Sequence, residues 1–184
     1  METDFKVRQL VIALYAVIIR SPMTFFGNIV YWVAHIKDLS KAVRQKKKLR
    51  SYAQYFYGVI STMKEYKWKS DPLGGAIDWS PWPLTIINKN EQDDCDGSAR
   101  LGRWMCKFSK DVEFANEYIL VDGWDVRSAH VICIGRLKDS MKWFCFNVSQ
   151  LLEATSFENI LDQFVTDELT SHGKYKNLVY YKLK

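Results

Sequence analysis

The sequence predicts an α+β fold in which helices come first and a mainly antiparallel sheet follows. Three observations carry this. Residues up to Lys69 are dominated by apolar positions at helical spacing; Tyr118–Asp122, Ala129–Leu137 and Lys142–Ser149 are strand-like runs in close succession; and a helical period returns only at Ser156–Thr170, before a closing strand at Asn177–Leu183. At 184 residues, 48 % hydrophobic and 15 % aromatic, the chain has the bulk for one well-filled core, and its 26 % of charged residues excludes disorder for the chain as a whole.

The first segment reads unlike the rest. Leu10–Ile19 is an unbroken apolar run, Arg20-Ser21-Pro22 interrupts it, and a second apolar stretch runs from Met23 to Ile36. Glu2 and Asp4 offset Lys6 and Arg8, and Arg20 stands where a cleavage site needs small residues, so the segment does not read as a secretory signal. Neither run reaches the ~20 residues a bilayer span needs, and Arg20 with Pro22 would sit at its middle. The spacing therefore predicts two helices broken at Pro22 and packed on the core or a partner, with a membrane-embedded or interfacial anchor as the alternative. The second helix is expected from about Met23 into the basic run, packed through Phe25, Ile29, Trp32 and Val33 on the core, a second copy or a membrane surface. Left exposed, each such side chain would forfeit about 1.5–3 kcal/mol of burial.

Residues 41–50 (KAVRQKKKLR) hold six basic residues and no acid. The whole chain carries +5, so everything outside this run sums to −1. That excludes a uniformly basic nucleic-acid binder, and no specific nucleic-acid partner is expected. The run should project into solvent or towards an anionic surface. Residues 1–50 thus form an apolar helical arm with a basic end, and residues 51–184 the core.

In the core, Tyr52, Phe56, Val59, Ile60 and Met63 lie on one face of a helix that should end near Lys69, before Asp71-Pro72 and Gly74-Gly75. Ala76–Asn90, with Pro81, Pro83 and the tryptophans Trp79 and Trp82, reads as an ordered aromatic loop. Asp94–Lys107 reads as a helix with Asp94 as its N-cap. The four cysteines are too few for a disulfide scaffold, and no CxxC pair or Cys/His cluster has zinc spacing. Reduced thiols, no metal and no cofactor are the expectation, in an intracellular or viral setting.

The N-cap places Cys95 in the first helical turn, where unpaired backbone N–H groups and the helix dipole favour a thiolate. Asp93, Asp94 and Asp96 oppose this, so Cys95 needs an imidazole beside it to act as a nucleophile. Gly97 is poor in a helix interior and suits a close approach by another segment. His130 begins a nearly continuous apolar strand and needs a polar partner. If Leu137 pairs with Lys142 across a hairpin, His130 faces Ser149 with Asn147 as its diagonal neighbour; if Leu137 pairs with Ser140, His130 faces Asn147 directly. Either register lets the Asn147 amide hold the imidazole in the tautomer that accepts a proton from Cys95. Cys133 and Cys145 then fall on opposite faces of the sheet.

Asp94-Cys95-Asp96-Gly97-Ser98-Ala99, Ala129-His130-Val131-Ile132-Cys133-Ile134 and Trp143-Phe144-Cys145-Phe146-Asn147 together resemble the transglutaminase-like superfamily, in particular bacterial and phage transglutaminase-like cysteine peptidases. Tyr66–Asp71, with Asp78-Trp79 and Pro81, resembles the run-up to the nucleophile in those peptidases. The resemblance covers roughly residues 60–150. It implies a papain-like fold with a nucleophile helix packed on an antiparallel sheet, Cys95 as nucleophile, His130 as general base and acid, Asn147 as the orienting residue, and a peptide or protein substrate. The sequence departs from the pattern at Asp93, where a glycine is usual, at Gly97, where an aspartate is frequent, and at Asn147, where an aspartate is normal. For the oxyanion, the Cys95 backbone N–H is one donor; Gln92, Asn90 and Trp82 are candidates for the second, with Gln92 first by its nearness. The expected activity is cysteine-dependent acyl transfer. The alternative is a structural or interaction protein of virion type that keeps the fold as a scaffold, docking through residues 1–50 to a second copy or a membrane.

Overall fold

A computed structural model describes residues 2–69, 81–89, 92–172, 175 and 177–183. The arm is continuous rather than broken. Helix α1 (Glu2–Tyr15) passes through a π turn at Ala16–Arg20 straight into α2 (Ser21–Ala34). Pro22 lies in the first turn of α2, the tolerated position, and the widened turn just before it accommodates the missing N–H and the bulk of the ring. The break comes instead at His35, followed by a 3₁₀ turn at Ile36–Asp38 and α3 (Leu39–Tyr52), which carries the basic run.

The packing face of α2 also differs from the expected one. Phe25, Ile29 and Val33 are exposed, and Trp32 is half-buried. The buried residues are Thr24 and Asn28. The cause is hydrogen bonding: Asn28 Oδ1 accepts from the Trp82 backbone N–H at 2.7 Å and from Thr85 Oγ1 at 2.8 Å, and its amide donates to Thr24 O at 2.7 Å. Trp32 Nε1 adds a bond to Thr85 Oγ1 at 3.0 Å. Further back along the arm, Ile12 is in the core, Gln9 donates to Tyr180 O at 3.0 Å, and Phe5 meets the Tyr180 ring edge-on.

Helix α4 (Phe56–Lys64) buries Phe56, Val59 and Met63 as the spacing requires. Tyr52 is exposed because the chain turns at Ala53–Tyr55 and starts a new helix, and α4 stops at Lys64 rather than near Lys69. Lys67–Trp68 is then a strand, β1, paired in parallel with β2 (Gln92–Asp93). Pro83–Asn88 is a short helix, α5, where a loop was expected; Pro83 opens it at a favoured position. The other expectations for Asp71–Ser80 and for Asn90 lie outside the described residues.

Helix α6 (Cys95–Cys106) crosses a five-stranded sheet of order β6-β5-β4-β3-β7. Its strands are β3 (Val112–Asp122), β4 (Asp125–Leu137), β5 (Trp143–Asn147), β6 (Gln150–Ala154) and β7 (Leu178–Lys182), each antiparallel to its neighbours. Helix α7 (Phe157–His172) covers the other face. Alternation sorts the strand residues accordingly. Ile119, Val121, Val131, Cys133, Phe144 and Phe146 join the cluster under α4 and α6, whereas Tyr118, Leu120, Ile132, Ile134 and Cys145 join Ile160, Leu161 and Phe164 of α7. Cys133 and Cys145 are thus on opposite faces, and all four thiols are free. The molecule is α+β with an N-terminal helical arm, as the sequence predicted. Strand β6 departs from the sequence expectation of one strand running to Ser149, because Val148-Ser149 forms a two-residue turn that folds the chain back as a hairpin.

Candidate active site

Helix α6 starts where the sequence placed it. Asp94 is extended and caps the helix, its Oδ1 accepting the Asp96 N–H at 3.2 Å. The chain leading into the cap is pinned from two sides: Lys69 N–H donates to Asp93 O at 3.0 Å, and the Tyr66 hydroxyl lies 3.3 Å from Asp94 O. Gly97 is needed here for space, since a Cβ would fall 2.4 Å from Asp93 Oδ2, 2.6 Å from Asp93 Cβ and 2.8 Å from the Tyr66 hydroxyl. A turn further on, a Cβ at Gly102 would sit 3.3 Å from the Phe146 ring. These two positions bring α6 close to its neighbours and so set the height of Cys95 over β4.

Cys95 is half-buried as a residue, its thiol turned inward, and the backbone N–H of Val131 points at its sulfur. Its pKa is raised, first by burial and then by the Asp94 and Asp96 carboxylates. The Val131 N–H and the Arg20 guanidinium pull the other way and are outweighed. The side chain therefore rests as a thiol.

His130 precedes Val131 on β4, so its ring lies on the α7 face, stacked on Phe164 at 5.6 Å between centroids and 15° between planes. Its Nε2 is 2.7 Å from Asn147 Oδ1. This is the diagonal pairing: Cys133 faces Phe146, and Leu137 N–H donates to Lys142 O at 2.9 Å, which fixes the first of the two hairpin registers. An amide oxygen can only accept, so Nε2 carries the proton and the lone pair is at Nδ1. Asn147 is itself held at the tip of β5 by a strained turn. Val148 has φ +53°, costly for a β-branched residue, and its carbonyl accepts from Ser98 Oγ of α6 at 2.9 Å.

The structure thus brings His130 and Asn147 into direct contact and sets Cys95 against the residue after His130. Trp82, one oxyanion candidate, packs edge-on against Phe25 of the arm and gives its backbone N–H to Asn28. Asn90 and the Gln92 side chain lie outside the described residues.

Sequence reasoning missed Arg20. It is buried in the π turn of the arm and forms an ion pair with the buried Asp96, the residue after Cys95. Burial works to raise the Asp96 pKa, but the Arg20 guanidinium outweighs it and the carboxyl falls to about 2. The signal was in plain view, a lone charge inside an apolar run, which is seldom buried without a partner. A cavity of about 260 Å³ beside this pair is lined by Arg20, Thr24, Trp82, Arg100 and Glu117. Glu117 is buried on β3 between Arg103 at 3.2 Å and Arg100 at 3.6 Å, both from α6. Asp93, Asp94 and Asp96 offer oxygens within 4.8 Å of one another, the one set of carboxylates among the described residues with the spacing of a metal site. Asp96 is already paired with Arg20, and Asp93 Oδ1 with Lys89 at 2.9 Å.

No protein-family model matches the chain, and no curated protein matches it. Among solved structures it is similar to Legionella pneumophila LapG in a calcium-bound form, at 17 % identity and a TM-score of 0.37 over 60 % of this chain and 58 % of that one. It is similar to a second structure of Legionella pneumophila LapG at 16 % identity and a TM-score of 0.37, over 60 % and 59 %. The chain spans less than two thirds of the length of either.

Proposed function

We propose that the chain is a cysteine-dependent acyl-transfer enzyme of the transglutaminase-like cysteine peptidase kind, acting on a peptide or protein amide, with residues 51–184 as its core and 1–50 as its arm. The observation that carries this reading is the 2.7 Å bond from His130 Nε2 to Asn147 Oδ1, made one residue from the strand N–H that meets the Cys95 sulfur. In this reading the His130 imidazole turns from its stack on Phe164 towards the start of α6, and its Nδ1 takes the Cys95 proton as the sulfur attacks the substrate carbonyl carbon. The tetrahedral oxyanion is met by the Cys95 N–H at the start of α6. The C–N bond then breaks, the imidazolium returns its proton to the leaving amine, and a thioester remains. Water or an acceptor amine attacks the thioester, giving its proton to His130, and the thiol is restored by that proton as the acyl group leaves. Because burial and two carboxylates keep Cys95 protonated at rest, proton transfer accompanies attack instead of preceding it.

The competing reading, a non-catalytic scaffold, draws on that same raised thiol. Selective alkylation alone does not separate the two, since Cys106, Cys133 and Cys145 are buried and Cys95 would react first by exposure. The deciding measurement is the rate of iodoacetamide labelling at Cys95 against pH, beside cleavage of a peptide library. The enzyme reading expects His130→Ala to slow labelling near neutral pH and Cys95→Ala to abolish cleavage. Labelling indifferent to His130, with no cleavage by the unmodified chain, would establish the scaffold.

A further inference from the structure

The arm helix is built inside out. Across Leu10–Ile36 the sequence has a single Lys, Arg, Asp or Glu, namely Arg20, and the structure turns it inward onto Asp96. Thr24 and Asn28 are likewise buried against the core. The opposite side is a continuous apolar stripe. Leu10, Leu14, Ile18, Phe26, Val30 and Val33 are all exposed, with Val33 reaching 74 % and Val30 68 %. From Asp4 to Ala34 the helix is long and apolar enough to cross a membrane by length and composition. At 1.5 Å per residue it is about 46 Å long. A water-exposed apolar face of that extent marks a surface meant to be covered.

We infer that this stripe docks on an anionic phospholipid bilayer, with the helix lying in the plane of the interface and the core seated above it. Two observations choose the bilayer and the orientation. The first is charge. The stripe is followed by α3, which holds six Lys and Arg residues and no acid, as anionic headgroups require. The second is the run of contacts between arm and core, from Gln9–Tyr180 through Arg20–Asp96 and Asn28–Trp82 to Trp32–Thr85. A helix anchored along its whole length cannot cross a bilayer without dragging the core in with it, so it lies flat. A protein partner would be expected to meet a polar rim; here the exposed residues from Leu10 to Ile36 are apolar apart from Ser21.

The test uses the full chain and does not depend on any catalytic activity. Sedimentation with vesicles of phosphatidylcholine mixed with phosphatidylglycerol, whose anionic headgroups attract Lys and Arg, should carry most of the protein down. Vesicles of phosphatidylcholine alone should retain several-fold less. Ile18→Glu and Val30→Glu, both at exposed positions, should abolish binding while leaving the far-UV circular dichroism and melting temperature unchanged. Replacing Lys46, Lys47 and Lys48 by Gln should remove the preference for anionic vesicles. Failure to sediment with either vesicle would overturn the inference. So would a concentration-dependent dimer in sedimentation velocity that dissociates in Val30→Glu, which would assign the stripe to a second copy.

Discussion

Helix α6 and the arm helix follow opposite plans. Helix α6 buries Gly97, Ser98, Ala99, Leu101, Gly102, Met105 and Cys106 against the sheet and sends Arg100 and Arg103 to its flank, where Glu117 receives them. The arm turns Arg20, Thr24 and Asn28 towards the core and, apart from Ile12 and Phe5, leaves its valines, isoleucines and phenylalanines outside. The two meet at one buried ion pair, Arg20 with Asp96. The difference lies in what each neighbour offers. The sheet offers apolar side chains, so α6 meets it with small and apolar ones. The edge of the core near α5 offers backbone and hydroxyl groups, so the arm meets it with an amide and a guanidinium. Through its ion pair with Asp96, Arg20 of the arm neutralises the residue that follows Cys95.

This contrast can be broken in several ways. The largest effect belongs to α6: if the proposed function holds, Cys95→Ala should reduce amide cleavage by on the order of 10⁴-fold or more, with the melting temperature little changed. Cleavage that survives in this variant would remove α6 from the chemistry. The link between the helices comes next. Arg20→Met leaves Asp96 buried and unpaired, which should cost about 3–5 kcal/mol in urea unfolding. The double variant Arg20→Met/Asp96→Leu should recover much of that loss, because the uncompensated charge is gone. The single variant should also slow Cys95 alkylation, since it removes one of the two groups that favour the thiolate.

Within the arm, the inner and outer faces should separate cleanly. Asn28→Ala takes the acceptor away from the Trp82 N–H and from the Thr85 O–H, and about 1–3 kcal/mol of stability should be lost. Val30→Ala, two residues along and on the exposed face, should change stability by no more than ~0.5 kcal/mol. Equal losses at the two positions would mean that the stripe is already buried in solution.

The carboxyls around the start of α6 also differ in how they respond to pH. Burial first, and then the nearby Asp96 charge, push the Asp93 carboxyl up to about 6, against the Lys89 ammonium that works to lower it. A carboxyl raised in the folded state holds its proton there more tightly than in the unfolded chain. Its contribution to stability is therefore complete below about pH 4 and is lost as pH rises through about 6. Asp96 has the opposite sign: its contribution is present above about pH 4 and fades as pH falls towards 2. Melting temperatures from pH 4 to 7 should decline more in the unmodified chain than in Asp93→Asn, and a matching slope in both would rule out Asp93 as the source.

Much of the core and of the candidate site was legible in the sequence because local chemistry settled it. Asp94 caps a helix whatever surrounds it, which places Cys95 in the first turn. A period of two in two neighbouring runs forces His130 and Asn147 onto one face once the hairpin loop is even. Gly97 announced a close approach through its missing side chain. What the sequence left open were matters of partnership. A strand of two residues such as β1 has no period to read; it exists because Gln92-Asp93 lies beside it. The arm's apolar residues suggested the buried face and its polar residues the outer one, by the ordinary rule that apolar side chains go inside. Only the tertiary structure could reverse that, because Arg20, Thr24 and Asn28 are cheap to bury solely where Asp96, Thr85 and the Trp82 N–H stand ready to bond them.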